Sequence, residues 1–273
     1  MTASEGRYRA LDGSTLVLMG SSDTEDGQPG FTSVGTATFT EPAIGRYDLT
    51  SGPRTLGLTV AFDPVLGVGM EVVEQYSTTD GQISLVAGHT PPGPDGAVWE
   101  IGPDGTPVRE GVTFAVWEGL RFSLHAPIYG SPSVAVGRAR RLFEHLRISE
   151  DQAGIALRPA QRVVFYLDEG PSVLHDVADV ALLEVMQLTR RTAAVVPRQP
   201  GTVVPGGELF AYVPDHGSGD HVEPADGYLH HDAFLRKVTS SAIVTILPHE
   251  RATEDDVMAL AVDLRADWVG ADS

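Results

Sequence analysis

The sequence predicts an α+β fold: a β-rich, sandwich- or barrel-like N-terminal half, residues 1–130, followed by a ferredoxin-like C-terminal half, residues 131–273. Three observations carry this expectation. The first 130 residues alternate apolar and polar positions between frequent turn signals. Helical spacing begins near residue 131. From about 160 the elements read strand, helix, strand, strand, helix, strand, with one further terminal helix, which is the split βαβ order.

In the first half, "LGLTVAF" places Leu56, Leu58, Val60 and Phe62 on one face, and Leu120, Phe122 and Leu124 share another. Turns are expected at Asp12-Gly13, at Asp80-Gly81 and at the two "PDG" triplets, 94–96 and 103–105, which bracket a strand "AVWEI". Proline favours the first central turn position and glycine accepts the positive φ that follows. Ser131 then caps a helix with Pro132 at its first position and Ala139, Leu142, Phe143 and Leu146 on its apolar stripe. "RVVFYL" (162–167) reads as a strand. "PSVLHDVADVALLEVMQL" (171–188) reads as a helix with Leu174, Val177, Ala181, Val185 and Leu188 aligned. "TAAVVP" (192–197) and "ELFAYVP" (208–214) read as strands, 227–238 as a helix and "AIVTIL" (242–247) as a strand. A last helix starts at Thr253 with a capping box to Asp256 and an apolar stripe of Val257, Leu260, Ala261, Leu264 and Trp268.

Composition bounds the function. Thirty-seven acidic against 19 basic residues leave a formal charge of −18, a field that repels phosphate backbones and anionic lipid. No nucleic acid and no membrane is expected as a partner. Lys237 is the sole lysine and the chain has no asparagine, a pairing that points to GC-rich codon usage. The absence of cysteine excludes disulfides, thiolate metal sites and cysteine nucleophiles. The start "MTASEGRYRA" has neither a basic nor an apolar leader region, and no apolar stretch approaches the roughly 18 residues of a membrane span. A cytoplasmic protein is expected.

The densest chemical signal is "DHGSGDHVEPADGYLHHD" (215–232). His216, Asp220, His221, His230 and Asp232 are its candidate metal ligands. On a helix, adjacent His230 and His231 diverge by about 100°, so they do not chelate one ion as an i, i+4 pair does. His216 and His221 lie on a glycine-softened loop whose convergence costs entropy. The competing reading is an acidic, histidine-bearing loop that runs into a helix. Asp168 and Glu169 follow a hydrophobic strand, where carboxylates hold magnesium or act as bases. They equally complement a helix N-terminus, and no phosphate loop GxxxxGK[ST] accompanies them. "GVGMEV" (67–72) lacks the third glycine of a dinucleotide fingerprint. Arg138, Arg140, Arg141 and Arg147 suit an anionic ligand or an acidic partner, or form a solvated helix face. No GxSxG or SxxK arrangement occurs.

Two function classes follow, one catalytic and one not. The first is a non-catalytic protein-interaction or assembly module without cofactor, whose partner is another protein or itself. The second is a metal-dependent hydrolase using the segment 215–232, assisted by Asp168 and Glu169.

Overall fold

The computed structural model describes residues 5–20, 31–41, 44–53, 62–63, 68–78, 81–89, 100–101, 107–108, 113–128, 132–160, 165–167, 171–213, 221–224 and 234–270. In chain order its first strands are β1 (Glu5–Arg9), β2 (Thr15–Met19), β3 (Phe31–Phe39), β4 (Arg46–Pro53), β5 (Phe62–Asp63), β6 (Val68–Thr78), β7 (Gly81–His89), β8 (Glu100–Ile101), β9 (Pro107–Val108), β10 (Thr113–Glu118) and β11 (Phe122–Ile128). Helix α1 (Pro132–Glu144) precedes β12 (Leu146–Glu150), β13 (Ile155–Pro159), β14 (Phe165–Leu167), β15 (Ser172–Val177) and β16 (Ala181–Gln187). A 3₁₀ turn (Thr192–Val195) leads into β17 (Thr202–Val204), β18 (Gly207–Val213), β19 (His221–Pro224), β20 (Phe234–Val238) and β21 (Ala242–Pro248). Helix α2 (Glu254–Asp263) and β22 (Arg265–Val269) end the described chain.

This is a predominantly β protein, which overturns the α+β expectation and its ferredoxin-like half. The segment read as the first crossover helix, 171–188, is the hairpin β15–β16, registered from Ser172 against Met186 to Val177 against Ala181. Both periods fit its sequence, and period two wins. Val173, His175 and Val177, then Ala181, Leu183 and Val185, are buried on one face. Asp179 takes the left-handed conformation at the turn (φ 61°), which interrupts a helix. Within 227–238, Phe234–Val238 is strand β20, and 225–233 lie outside the described residues. The expected strand 192–197 is the 3₁₀ turn. The last helix starts where its capping box places it, with Thr253 Oγ1 accepting from the Asp256 amide. It stops at Asp263, so Trp268 belongs to a strand. Helix α1 and the strands at 208–214 and 242–247 form where expected. The Asp12-Gly13 turn also forms, with Gly13 at φ 86°. The run 54–61 and both PDG triplets lie outside the described residues.

The chain divides into two compact units. One comprises Met1–Gly35, Ala153–Ala156 and Leu167–Ser273. Its large sheet runs β17-β18-β20-β21-β16-β15-β3, with β19 also on β18, and these neighbouring strands pair antiparallel. The registers align Phe31, Val173, His175, Leu183, Val185, Val244, Ile246, Leu235 and Leu209 on one buried face. Each fully buried aliphatic side chain there contributes about 1.5–3 kcal/mol. A smaller sheet runs β1-β2-β22.

Lys237 sits on the same apolar face, opposite Val244 and Leu209, and is fully buried. Its ammonium donates to the carbonyls of Ala261 (2.9 Å), Val262 (3.0 Å) and Leu264 (2.6 Å) at the end of α2. Two further side chains at alternate positions continue the pattern along β22. Thr239 Oγ1 donates to Ala266 O (3.1 Å), and Trp268 N donates to Ser241 Oγ (2.9 Å). Thr239 and Ser241 thus bind backbone groups of β22, a terminal strand of the small sheet. Unmet, they form an adhesive edge. Trp268 Nε1 donates to Ser14 Oγ (2.7 Å), which donates in turn to Asp12 Oδ1 (2.5 Å) and so ties the β1–β2 turn to the same strand.

The other unit comprises Thr36–Gln152 and Leu157–Tyr166. It carries β4-β11-β10-β7-β6-β5 in that order, with the second half of β3 beside β4. Helix α1 packs on β7, β10, β11 and β12. Ala135, Ala139 and Leu142 are fully buried, alongside Leu124, Ala126, Ile83 and Leu85 of the strands. Among the described residues no helix is long and apolar enough to cross a membrane.

Candidate functional site

Asp168, Glu169, His216, Asp220, His230 and Asp232 lie outside the described residues. His221 opens β19 and pairs in register with Val213, and its side chain also lies outside them. Among the described residues no group of three or more His, Asp or Glu side chains is placed to hold a metal ion.

The described polar side chains form four constellations that the sequence did not single out. The first is Lys237. Three N–H donors on three carbonyls use the whole capacity of an ammonium, and the negative end of a helix is where a cation belongs. Burial, with Arg265 adding to it, lowers the Lys237 pKa to about 8 against a smaller opposing pull from Asp263. At neutral pH the group is therefore still charged and serves as the helix C-cap.

The second is Arg236, stacked over the Tyr212 ring (4.5 Å) and the Phe234 ring (5.5 Å), which lie parallel to each other at 4.6 Å. Its Nη1 donates to Val195 O (2.9 Å) and to Tyr212 Oη (3.1 Å). The guanidinium thus pins the 3₁₀ turn to the sheet, with added cation–π attraction. Thr245, directly across from Arg236, has a buried hydroxyl, and Glu184 lies one strand further along. The hydroxyl and Arg236 Nε are sealed from solvent and meet no hydrogen-bond partner among the described residues.

The third is Ser123 with His125, on one face of β11, with Oγ and Nε2 2.8 Å apart. That separation suits a nucleophile and its base. Ser123, however, is buried at 3% exposure. The backbone amides just before it, which are the natural oxyanion donors, are already engaged.

Their acceptor is the fourth constellation. The carboxylate of Glu150 accepts from the amides of Leu120 (2.8 Å), Arg121 (2.5 Å) and Phe122 (2.8 Å). These three successive N–H groups form the tip of the β10–β11 hairpin, closed by Gly119 N to Phe122 O (2.9 Å). A Cβ at 119 would collide with the Glu150 carboxylate and the Trp117 ring, so a larger residue there displaces the clamp. Neither tip residue has positive φ, the conformation that two-residue hairpins favour. The carboxylate stabilises the tip instead. Leu120, expected to share the face of Phe122 and Leu124, therefore stands in solvent at 90% exposure while both partners are buried. Arg121 beside it is exposed as well.

The common chemistry of Lys237, Arg236 and Glu150 is that each charged group is spent on main-chain groups of this chain. The hairpin tip is the exception in its outcome, since its charge is used to hold an apolar side chain outward. No protein-family model, curated protein or solved structure matches this chain.

Proposed function

We propose that this is an acidic, cytoplasmic, non-catalytic interaction module, and that the Leu120–Arg121 tip is part of its contact surface. The observation that carries the reading is the rigid presentation of Leu120. A carboxylate, a glycine and a hairpin closure fix a large apolar side chain at 90% exposure. A lone exposed leucine is ordinary on a protein surface. A leucine on a clamped tip has already lost the backbone freedom that binding would otherwise remove, which favours affinity.

The test is a photo-reactive residue at position 120 of the full chain, expressed in its source cells. The expected result is a discrete cross-linked protein adduct. A control at Asp179, an exposed turn residue, should give none. Indistinguishable cross-linking patterns at 120 and 179 would overturn the reading.

A further inference from the structure

All of the chain's lysine chemistry rests on one side chain, Lys237, and the fold closes it off. A lysine reacts through its free amine, whose lone pair attacks an acyl carbon. Here the side chain is fully buried, and Nζ donates its three hydrogens to the carbonyls of Ala261, Val262 and Leu264. What covers the amine is the corner where α2 passes into β22. Thr239 Oγ1 on Ala266 O, Ser241 Oγ on Trp268 N and Trp268 Nε1 on Ser14 Oγ hold the same corner down. Lys237 itself belongs to β20, which is paired to β18 on one side and to β21 on the other. Lifting the corner therefore bares the amine without dismantling the sheet, and local openings of this kind lie below global unfolding in free energy.

We propose that Lys237 is an acylation site gated by the α2–β22 corner: an activated acyl donor reaches it only when the corner lifts, and the product holds the corner open. In the open state the ammonium gives a proton to solvent and the amine nitrogen attacks the acyl carbon. The N–C bond forms, the bond to the leaving group breaks, and that group departs with the electron pair. A second proton then leaves the nitrogen. The resulting amide is neutral and has one N–H where the ammonium had three. On re-closure two of the three carbonyls would be left dry, and the helix end would lose its cation. The acyl group would also need room on a face where Val244 and Leu209 lie directly beside the lysine. The modified chain thus cannot re-form the closed corner, and the reaction records an opening that has occurred.

The experiment treats the full chain with N-hydroxysuccinimidyl acetate at guanidinium concentrations below the unfolding transition, with free Nα-acetyl-lysine amide as internal reference. Peptide mass spectrometry reads the rate at Lys237. Without denaturant it should be at least about a hundredfold below the reference, and its logarithm should rise with denaturant at less than about half the global slope. Ser241→Ala, which frees Trp268 N, should speed the reaction about two- to tenfold. In the purified acetylated chain, hydrogen exchange should quicken across Glu254–Val269 and stay unchanged in β15 and β16. Reaction as fast as the reference overturns the gate, as does an unchanged rate in Ser241→Ala. A slope equal to that of global unfolding, or no adduct below the transition, overturns the local opening. An adduct whose α2 and β22 amides exchange as the parent's do overturns the hold.

Discussion

Replacing Lys237 by methionine keeps the length and the apolar stem of the side chain and removes its three donors. The carbonyls of Ala261, Val262 and Leu264 then face the core without a partner. Each dry acceptor costs on the order of 1–2 kcal/mol. Against this stands the burial of the ammonium, which the variant no longer carries. The fall in pKa from 10.5 to about 8 corresponds to about 3 kcal/mol at about 1.4 kcal/mol per decade. The two effects leave a net loss of about 0–3 kcal/mol near neutral pH. The pH dependence is the sharper signature. The unfolded lysine titrates near 10.5 and the folded one near 8, so between them the unfolded chain binds more protons and stability rises with pH. This contribution is complete above 10.5 and is lost as pH falls through about 8. The advantage of the parent over Lys237→Met should therefore widen by up to about 3 kcal/mol from neutral pH to above 10.5. Groups common to both chains cancel in the difference. Urea unfolding followed by tryptophan fluorescence reads it, with Trp268 on the strand that Thr239 and Ser241 bind. A difference that stays flat, or narrows, across that range refutes the argument that burial governs this lysine.

Glu150→Gln should cost about 1–3 kcal/mol through loss of a charged acceptor, and hydrogen exchange should quicken at the amides of 120–122 more than at β10. Burial pushes the Tyr47 phenol up from 10.0, outweighing the opposing Arg138 and Arg141. The folded chain thus keeps that proton to higher pH, and the associated stability is present below 10 and lost as pH rises through the folded value. Tyr47→Phe should remove a component of the phenolate absorbance that titrates above 10.0, and its persistence would reassign the shift. For His216, Asp220, His221, His230 and Asp232 the expected outcome is that no transition metal survives dialysis of the untagged protein. Stoichiometric zinc that is lost on His216→Ala or His221→Ala would promote the hydrolase alternative.

How much of the fold was legible depends on where each element finds its partners. Helix α1 and the start of α2 were readable because their signals are local: Pro132 at the first turn, and Thr253 three residues before Asp256. The hairpin 172–187 was not, because its apolar residues satisfy both periods and only the conformation of Asp179 separates them. Strand β20 was hidden more deeply. Leu235 and Lys237 point to the core side of the sheet while Phe234 and Arg236 share the other. A lysine at a core position erases the alternation that marks a strand. Its reason for being there, the end of α2, lies more than twenty residues downstream.

The same separation explains both the missed end of α2 and the missed site residues. No glycine or asparagine follows Asp263 to announce a stop, and the stripe continues at helical spacing through Leu264 and Trp268. What donates to the last carbonyls is Lys237, from a strand that precedes the helix. Helix termination is here a tertiary event, and local capping rules have no access to it. Glu150 is the mirror case: an unremarkable carboxylate in sequence, it satisfies the amides of a turn about thirty residues earlier. Motif reading looks for charged groups near one another, as in 215–232, because catalysis and metal binding need them to converge. In the described residues of this chain the informative charges converge on backbone, and their consequence for recognition is read from what they hold in place. In the hairpin that is Leu120, which carries no chemical signature and which period-two patterning had assigned to the core.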